Sequence, residues 1–249
     1  MKRIVLYVML AVWWLVPATG YAQQYTGLSG LLHVPSAEMN HEGDAFIGLH
    51  YLNKAMTPDT GFLFNGQKYD TYDYYIALTP FRWIEFSYVC TKRKSAANEE
   101  LWDYHRKDRS VSLKIRPLEE GKYYPAVAFG CNDFGTSAFN KNRSDVQLYF
   151  FNYYVAATKH FELFDWVTVG THATYRKWRN KNNHRWNGLV GGVTFSPLFY
   201  PNLRVLCEWD GSRVNFGADC RLFKYFLVQA SMLEGKDFSG GLSLMIPLL

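Results

Sequence analysis

The sequence predicts an all-β chain, a single antiparallel up-and-down transmembrane β-barrel of about twelve strands, within a range of roughly 10–14. Three observations predict it. The first is a series of runs that alternate apolar and polar residues, most of them roughly 9–11 residues long. That is the length a tilted strand needs to cross a bilayer, whereas strands of soluble sandwiches favour roughly 5–6. The second is an asymmetry of the connections, which are long and polar at one end and short at the other. The third is an aromatic content of 18%, with 18 Tyr, 18 Phe and 8 Trp, placed mostly where strands end. Rings with one wet edge settle at bilayer interfaces.

At the N-terminus, Lys2 and Arg3 precede an apolar run from Ile4 to Val16, which Pro17 breaks. Small residues at Gly20 and Ala22 then suit a signal peptidase, so residues 1–22 are expected to be a cleaved secretory signal. The run is too short for a spanning helix, and no later apolar stretch approaches the roughly 20 residues one needs. Without Lys2 and Arg3 the formal charge falls from +5 to +3, too small a surplus to point to nucleic acid.

Residues 23–43 have no period and contain Gly27, Gly30, Pro35 and Gly43. They are expected to be an irregular segment leading into a barrel over 44–249. The strand runs are Asp44–Asn53, Asp70–Thr79, Ile84–Lys92, Asp108–Arg116, Pro125–Asp133, Gln147–Lys159, Val167–Lys177, Gly188–Ser196, Leu203–Asp210, Arg213–Leu222, Phe226–Glu234 and Phe238–Ile246. No run contains an interior proline, as uninterrupted ladders require. The Gln147–Lys159 run is aromatic on both faces, which leaves its direction open. The clearest pair is Leu203–Leu222. A two-residue turn at Gly211-Ser212 pairs Trp209 with Val214 and puts both apolar rows on one face, because side chains alternate along a strand. The four long connections, Lys54–Tyr69, Arg93–Lys107, Phe134–Val146 and Trp178–Asn187, are predicted to lie outside the cell. A short helix is expected in the second.

Cys90, Cys131, Cys207 and Cys220 invite disulfides in an exported chain. In the predicted hairpin, however, Cys207 faces Phe216, which leaves Cys220 roughly 13 Å away along the strand, beyond bridging. All four are read as small hydrophobes. There is no C-x-x-C, so no metal or redox site is expected, and no cofactor either.

The second face of the strands is small and polar, which suits a narrow wet lumen. Glu85, Lys114, Arg116, His172, Arg176, Glu208, Asp219 and Arg221 are its charged or titratable candidates, with Arg204 a further lumen base. No catalytic residue is assigned. His172 with Ser110 or Ser112, and the carboxylates Glu85 and Glu208, are the only arrangements that suggest chemistry, and a charge-balanced interior accounts for both. The stretch from Trp178 to Trp186 is basic and flanked by Trp. Its residues Trp178, Arg179, Lys181, Arg185 and Trp186 are candidates for contact with lipopolysaccharide or glycan.

Four stretches carry a resemblance. They are Gly30-Leu31-Leu32-His33-Val34-Pro35-Ser36-Ala37 followed by Gly43-Asp44, then Asp108-Arg109-Ser110-Val111-Ser112-Leu113-Lys114, then Pro125-Ala126-Val127-Ala128-Phe129-Gly130 with Asp133 and Gly135-Thr136, and last Tyr154-Val155-Ala156-Ala157-Thr158-Lys159. In order and spacing they resemble the YjbH family of outer-membrane proteins, associated with exopolysaccharide and capsule production in diderm bacteria. The chain resembles the first barrel of that longer pattern. The resemblance implies a non-enzymatic barrel in the outer membrane that serves polysaccharide export or assembly beside periplasmic or lipoprotein partners. An outer-membrane enzyme acting on lipid or glycan at the rim, a small-solute pore, and a structural barrel are the competing expectations.

Overall fold

The computed structural model describes residues 22–59, 62–93, 106–135, 148–179 and 181–249. The predicted signal sequence and the helix expected between Arg93 and Lys107 lie outside the described residues, apart from Ala22 and the ends of that loop.

Among the described residues fourteen strands follow one another: β1 Asp44–Leu52, β2 Leu63–Phe64, β3 Gln67–Lys68, β4 Thr71–Phe81, β5 Ile84–Arg93, β6 Arg106–Leu118, β7 Ala126–Gly135, β8 Asn152–Leu163, β9 Val167–Trp178, β10 Gly188–Pro197, β11 Leu203–Trp209, β12 Val214–Leu222, β13 Phe226–Leu233 and β14 Asp237–Pro247. Twelve of them form a closed antiparallel barrel in chain order, with β1 pairing both β4 and β14. The short β2–β3 hairpin sits in the β1–β4 connection. Closure leaves the barrel itself without an edge strand.

The register follows the alternation. Trp209 pairs with Val214, and Cys207 with Phe216, as the hairpin pattern predicts. Outward side chains are apolar and exposed, among them Ile47, Ile76, Phe129, Val205, Phe216 and Leu242. Inward side chains are buried and mostly polar, among them Ser112, Lys114, Thr174, Glu208 and Ser243. A soluble barrel has the opposite polarity, so this outer surface is matched to hydrocarbon. The four cysteines are free.

Two strands run past prolines, contrary to the expectation of proline-free ladders. β4 includes Pro80 and β6 includes Pro117. Proline has no N–H for the ladder, and the register shifts at both places, between Leu78 and Phe81 and between Ile115 and Leu118. The aromatic run Gln147–Lys159 also behaves differently from its pattern. Its strand begins only at Asn152. Tyr149 and Phe150 fold inward and are buried, with the Phe150 N–H donating to Asp133 Oδ2 at 3.0 Å.

Candidate functional site

The lumen is filled by the chain's own N-terminal segment. Every residue from 22 to 40 is buried, although nothing in its composition marks it as core. Two tight turns fold it. Gly27 closes one, with φ +78 and its N–H donating to the Gln24 carbonyl at 2.8 Å. A Cβ there would stand 3.0 Å from both Ser87 and the Tyr75 ring, so glycine is needed for space as well as for conformation. The other turn has the Leu31 N–H donating to the Val34 carbonyl at 3.1 Å.

A segment without regular structure must find partners for its peptide groups, and here the barrel wall supplies them. The Glu208 carboxylate accepts from the N–H groups of Leu32, His33 and Val34 at 3.0–3.1 Å, and from Asn215 Nδ2 at 3.1 Å. Successive N–H groups aimed at one anion form a nest; here the protein provides its own anion. Glu85 accepts from Ser29 N at 3.0 Å, Ser29 Oγ at 2.8 Å and Asn40 Nδ2 at 2.6 Å. Lys114 Nζ lies 2.9 Å from Glu85 and donates to the carbonyls of Ser29 and Glu38 at 2.8 and 2.6 Å. Both side chains are fully buried (0% exposed). Arg204 joins Glu38 of the segment to Asp219 of the wall, at 2.9 Å each, and also donates to the Gly30 carbonyl at 3.0 Å. Arg176 donates to the carbonyls of His33, Trp186 and Asp210 at 2.6–2.8 Å. Buried charges stripped of water need such complete satisfaction, since the Coulomb term alone does not offset their desolvation.

The sequence candidates therefore sort by what they touch. Glu85, Lys114, Arg176 and Glu208 hold the segment directly, and Asp219 holds it through Arg204. His172 is buried, with its ring nitrogens 3.1 Å from Thr158 Oγ1 and 3.2 Å from Thr194 Oγ1; neither partner is Ser110 or Ser112. Arg221 is buried and feels Asp44 and Asp219. Arg116 has the inward parity of Lys114, but it sits at the short-turn rim and bonds Arg82 O and Glu119.

Two residues proposed for surface contact lie inside. Trp178 and Trp186 are each 1% exposed. They pack 5.0 Å apart, centroid to centroid, in a cluster with Tyr25, Phe62, Tyr149 and Phe150 at the long-loop end. Trp178 shares the inward parity of His172, Thr174 and Arg176 along β9, and parity outranks composition. Trp186 is carried in by the 3-10 turn Lys181–Trp186. Of the same five, Arg179 and Lys181 are exposed, while Arg185 is half-buried over the Trp186 ring and 3.0 Å from Asp59. Glu38, Ser29, His33 and Asn40 were missed by sequence reasoning. They lie in an aperiodic segment, and the only hint was its density of Gly, Ser and His between short apolar pairs.

Chemically, the two lumen carboxylates Glu85 and Glu208 are fully supplied with donors. Glu85 and Glu208 bind the segment and do not face each other across a cleft. The cavity beside the segment, between β1, β13 and β14 and lined in part by Gln23, His50 and Gln229, measures about 20 Å³, room for about one water.

The family described as "YjbH: Exopolysaccharide biosynthesis protein YbjH" matches residues 22–200. A protein of Escherichia coli (strain K12) named "Uncharacterized lipoprotein YjbH" is 26% identical over 273 residues, covering 90% of this chain and 35% of that protein. The chain thus spans about a third of that relative's length. Among solved structures, the outer membrane phospholipase A from Escherichia coli is similar at TM-score 0.35 and 10% identity, over 82% of this chain and 95% of that one. A mutant of Rh. blastica porin is similar at TM-score 0.29 and 9% identity, over 83% and 75%. Likeness at this level extends to neither protein's activity.

Proposed function

This chain belongs to the YjbH exopolysaccharide biosynthesis family, and from that premise we propose that it is an outer-membrane barrel of a diderm bacterium that assists export or assembly of an exopolysaccharide or capsule without catalysing a reaction. The observation that carries the reading is the pairing of an apolar outer belt with a lumen closed by the chain's own segment. The belt supports residence in a bilayer, where outer-membrane lipids and lipopolysaccharide cover it. The closed lumen supports an assisting role over that of a standing pore. The saturation of Glu85 and Glu208 by donors supports a non-enzymatic one. Twelve strands lie between the eight that side chains fill and the sixteen that leave a channel. A glycan would therefore cross only with the segment withdrawn, or on a path completed by a partner. Periplasmic or lipoprotein components of the same assembly are the partners this implies.

The test is deletion of the gene, with surface polysaccharide, lipid A and phospholipids measured together and the barrel located by membrane fractionation. Loss of polysaccharide, restored by the native gene, supports the proposal. Unchanged polysaccharide with altered lipid A or phospholipid overturns it in favour of a rim enzyme, and recovery of the protein as a soluble periplasmic species overturns the location.

A further inference from the structure

At the short-turn end of the lumen, three side chains from three elements converge: Glu38 of the N-terminal segment, His160 of β8 and His172 of β9. One donor atom from each lies within 4.8 Å of the others. We propose that they form a divalent transition-metal site of the zinc type, which clasps the segment to the barrel wall.

Two imidazoles and a carboxylate are a donor set that suits Zn²⁺. Two ligands on one tetrahedral zinc stand about 3.3 Å apart. His160 Nε2 is already 3.4 Å from Glu38 Oε1, and His172 Nε2 is 4.0 Å from the same oxygen; with all three donors within 4.8 Å of one another, the imidazoles have to close on each other by at most about 1.5 Å. The outer groups also fit. His160 Nδ1 is 2.7 Å from Glu120 Oε2. A proton held on Nδ1 by that carboxylate leaves the Nε2 lone pair aimed at Glu38, the carboxylate–imidazole arrangement common behind metal ligands. Thr158 Oγ1 stands in the same place behind His172, at 3.1 Å from Nδ1.

Space has been left for the pair. Gly170 faces both Thr194 and His160 across its ladders. A Cβ on it would come within 2.9 Å of His172 Nε2 and 3.0 Å of His160 Cδ2. Charge points the same way. The carboxylates Glu38, Asp219 and Glu120 gather here beside Arg204, Lys159 and Arg221, so a cation held between His160 Nε2 and Glu38 is met by negative charge. A proton on His160 is the rival occupant, and the metal titration decides between them.

The experiment uses the full chain in detergent, stripped with a chelator and then titrated with Zn²⁺ by calorimetry. Retained metal is counted after desalting, and Co²⁺ serves as an optical probe. The native barrel is expected to keep one equivalent, to melt at higher temperature with Zn²⁺, and to give a tetrahedral Co²⁺ spectrum. His172→Ala and Gly170→Val are expected to weaken binding at least about 100-fold, and Glu120→Gln, which touches only the outer carboxylate, about 10–100-fold. Heat-modifiable gel migration reports which variants fold. If a ligand variant does not fold, Glu120→Gln decides. A native barrel that retains no equivalent, or an affinity that Glu120→Gln leaves unchanged, overturns the site.

Discussion

The inner face of the barrel wall and the segment packed against it are both buried and are built on opposite principles. The wall is periodic. Each strand carries its instruction in the alternation of side chains, and its peptide groups pair with neighbouring strands. The segment from 22 to 40 has no period, and much of its backbone is satisfied by side chains of the wall: Glu208, Glu85, Lys114, Arg176 and Arg204. The wall thus resembles a scaffold that stands by its own ladder, and the segment resembles a ligand that the scaffold binds. The difference teaches that charged lumen residues can serve to recognise a peptide backbone when their pattern suggests a transport path.

The largest expected effect comes from separating the two. Deleting residues 23–40 should leave a folded barrel, seen as heat-modifiable migration, and should give resolved current steps in planar bilayers, where the full chain is expected to show low conductance. A deletion protein that fails to fold would show that the segment is part of the scaffold, and the comparison would break.

Next come the rings at the seam between wall and segment. Trp178→Ala empties a large buried volume and should cost about 3–5 kcal/mol in denaturant unfolding, while its exposed neighbour Arg179→Ala should stay within about 0.5 kcal/mol. Equal effects would return Trp178 to the surface role its composition suggested.

Smaller, and specific to the segment, is Glu208→Ala. It orphans three N–H groups and should weaken docking of the segment by on the order of 3 kcal/mol. Protease should then cut the segment while the barrel remains intact. Glu208→Gln, which keeps one accepting oxygen, should fall between.

The smallest effect is one of pH. Asp210 closes the β11–β12 turn, accepting from Ser212 N and Arg213 N at 2.8 Å each. Burial works against its ionisation, but the His33 ring and the turn's N–H donors outweigh it and hold the carboxyl below the usual range. A depressed carboxylate stabilises the folded state above its unfolded pKa of about 3.9, and that stabilisation is lost as pH falls through the lower folded value. Native protein should therefore lose stability on acidification below about pH 4, and Asp210→Asn should flatten that part of the profile while being less stable at neutral pH. A profile unchanged by the substitution would remove Asp210 from the account.

The strands, their register and the sense of each face were legible because a period of two is a local property. Cys207 opposite Phe216 follows from a two-residue turn and needs no tertiary information. The inward charges were legible for the same reason, as residues of one parity. Parity continued by one step would also have put Trp178 inside, where the basic composition of its loop suggested otherwise. Only the folded chain decided what the charges face. Glu38, Ser29 and His33 lie far from their partners in sequence, and their segment has no period because its peptide groups bond to side chains rather than to a neighbouring strand. A hydrogen bond from a peptide N–H to a distant carboxylate places no constraint on the residue that carries the N–H. Docking of the segment therefore leaves almost no trace in its own sequence, and it becomes visible only when the barrel closes around it.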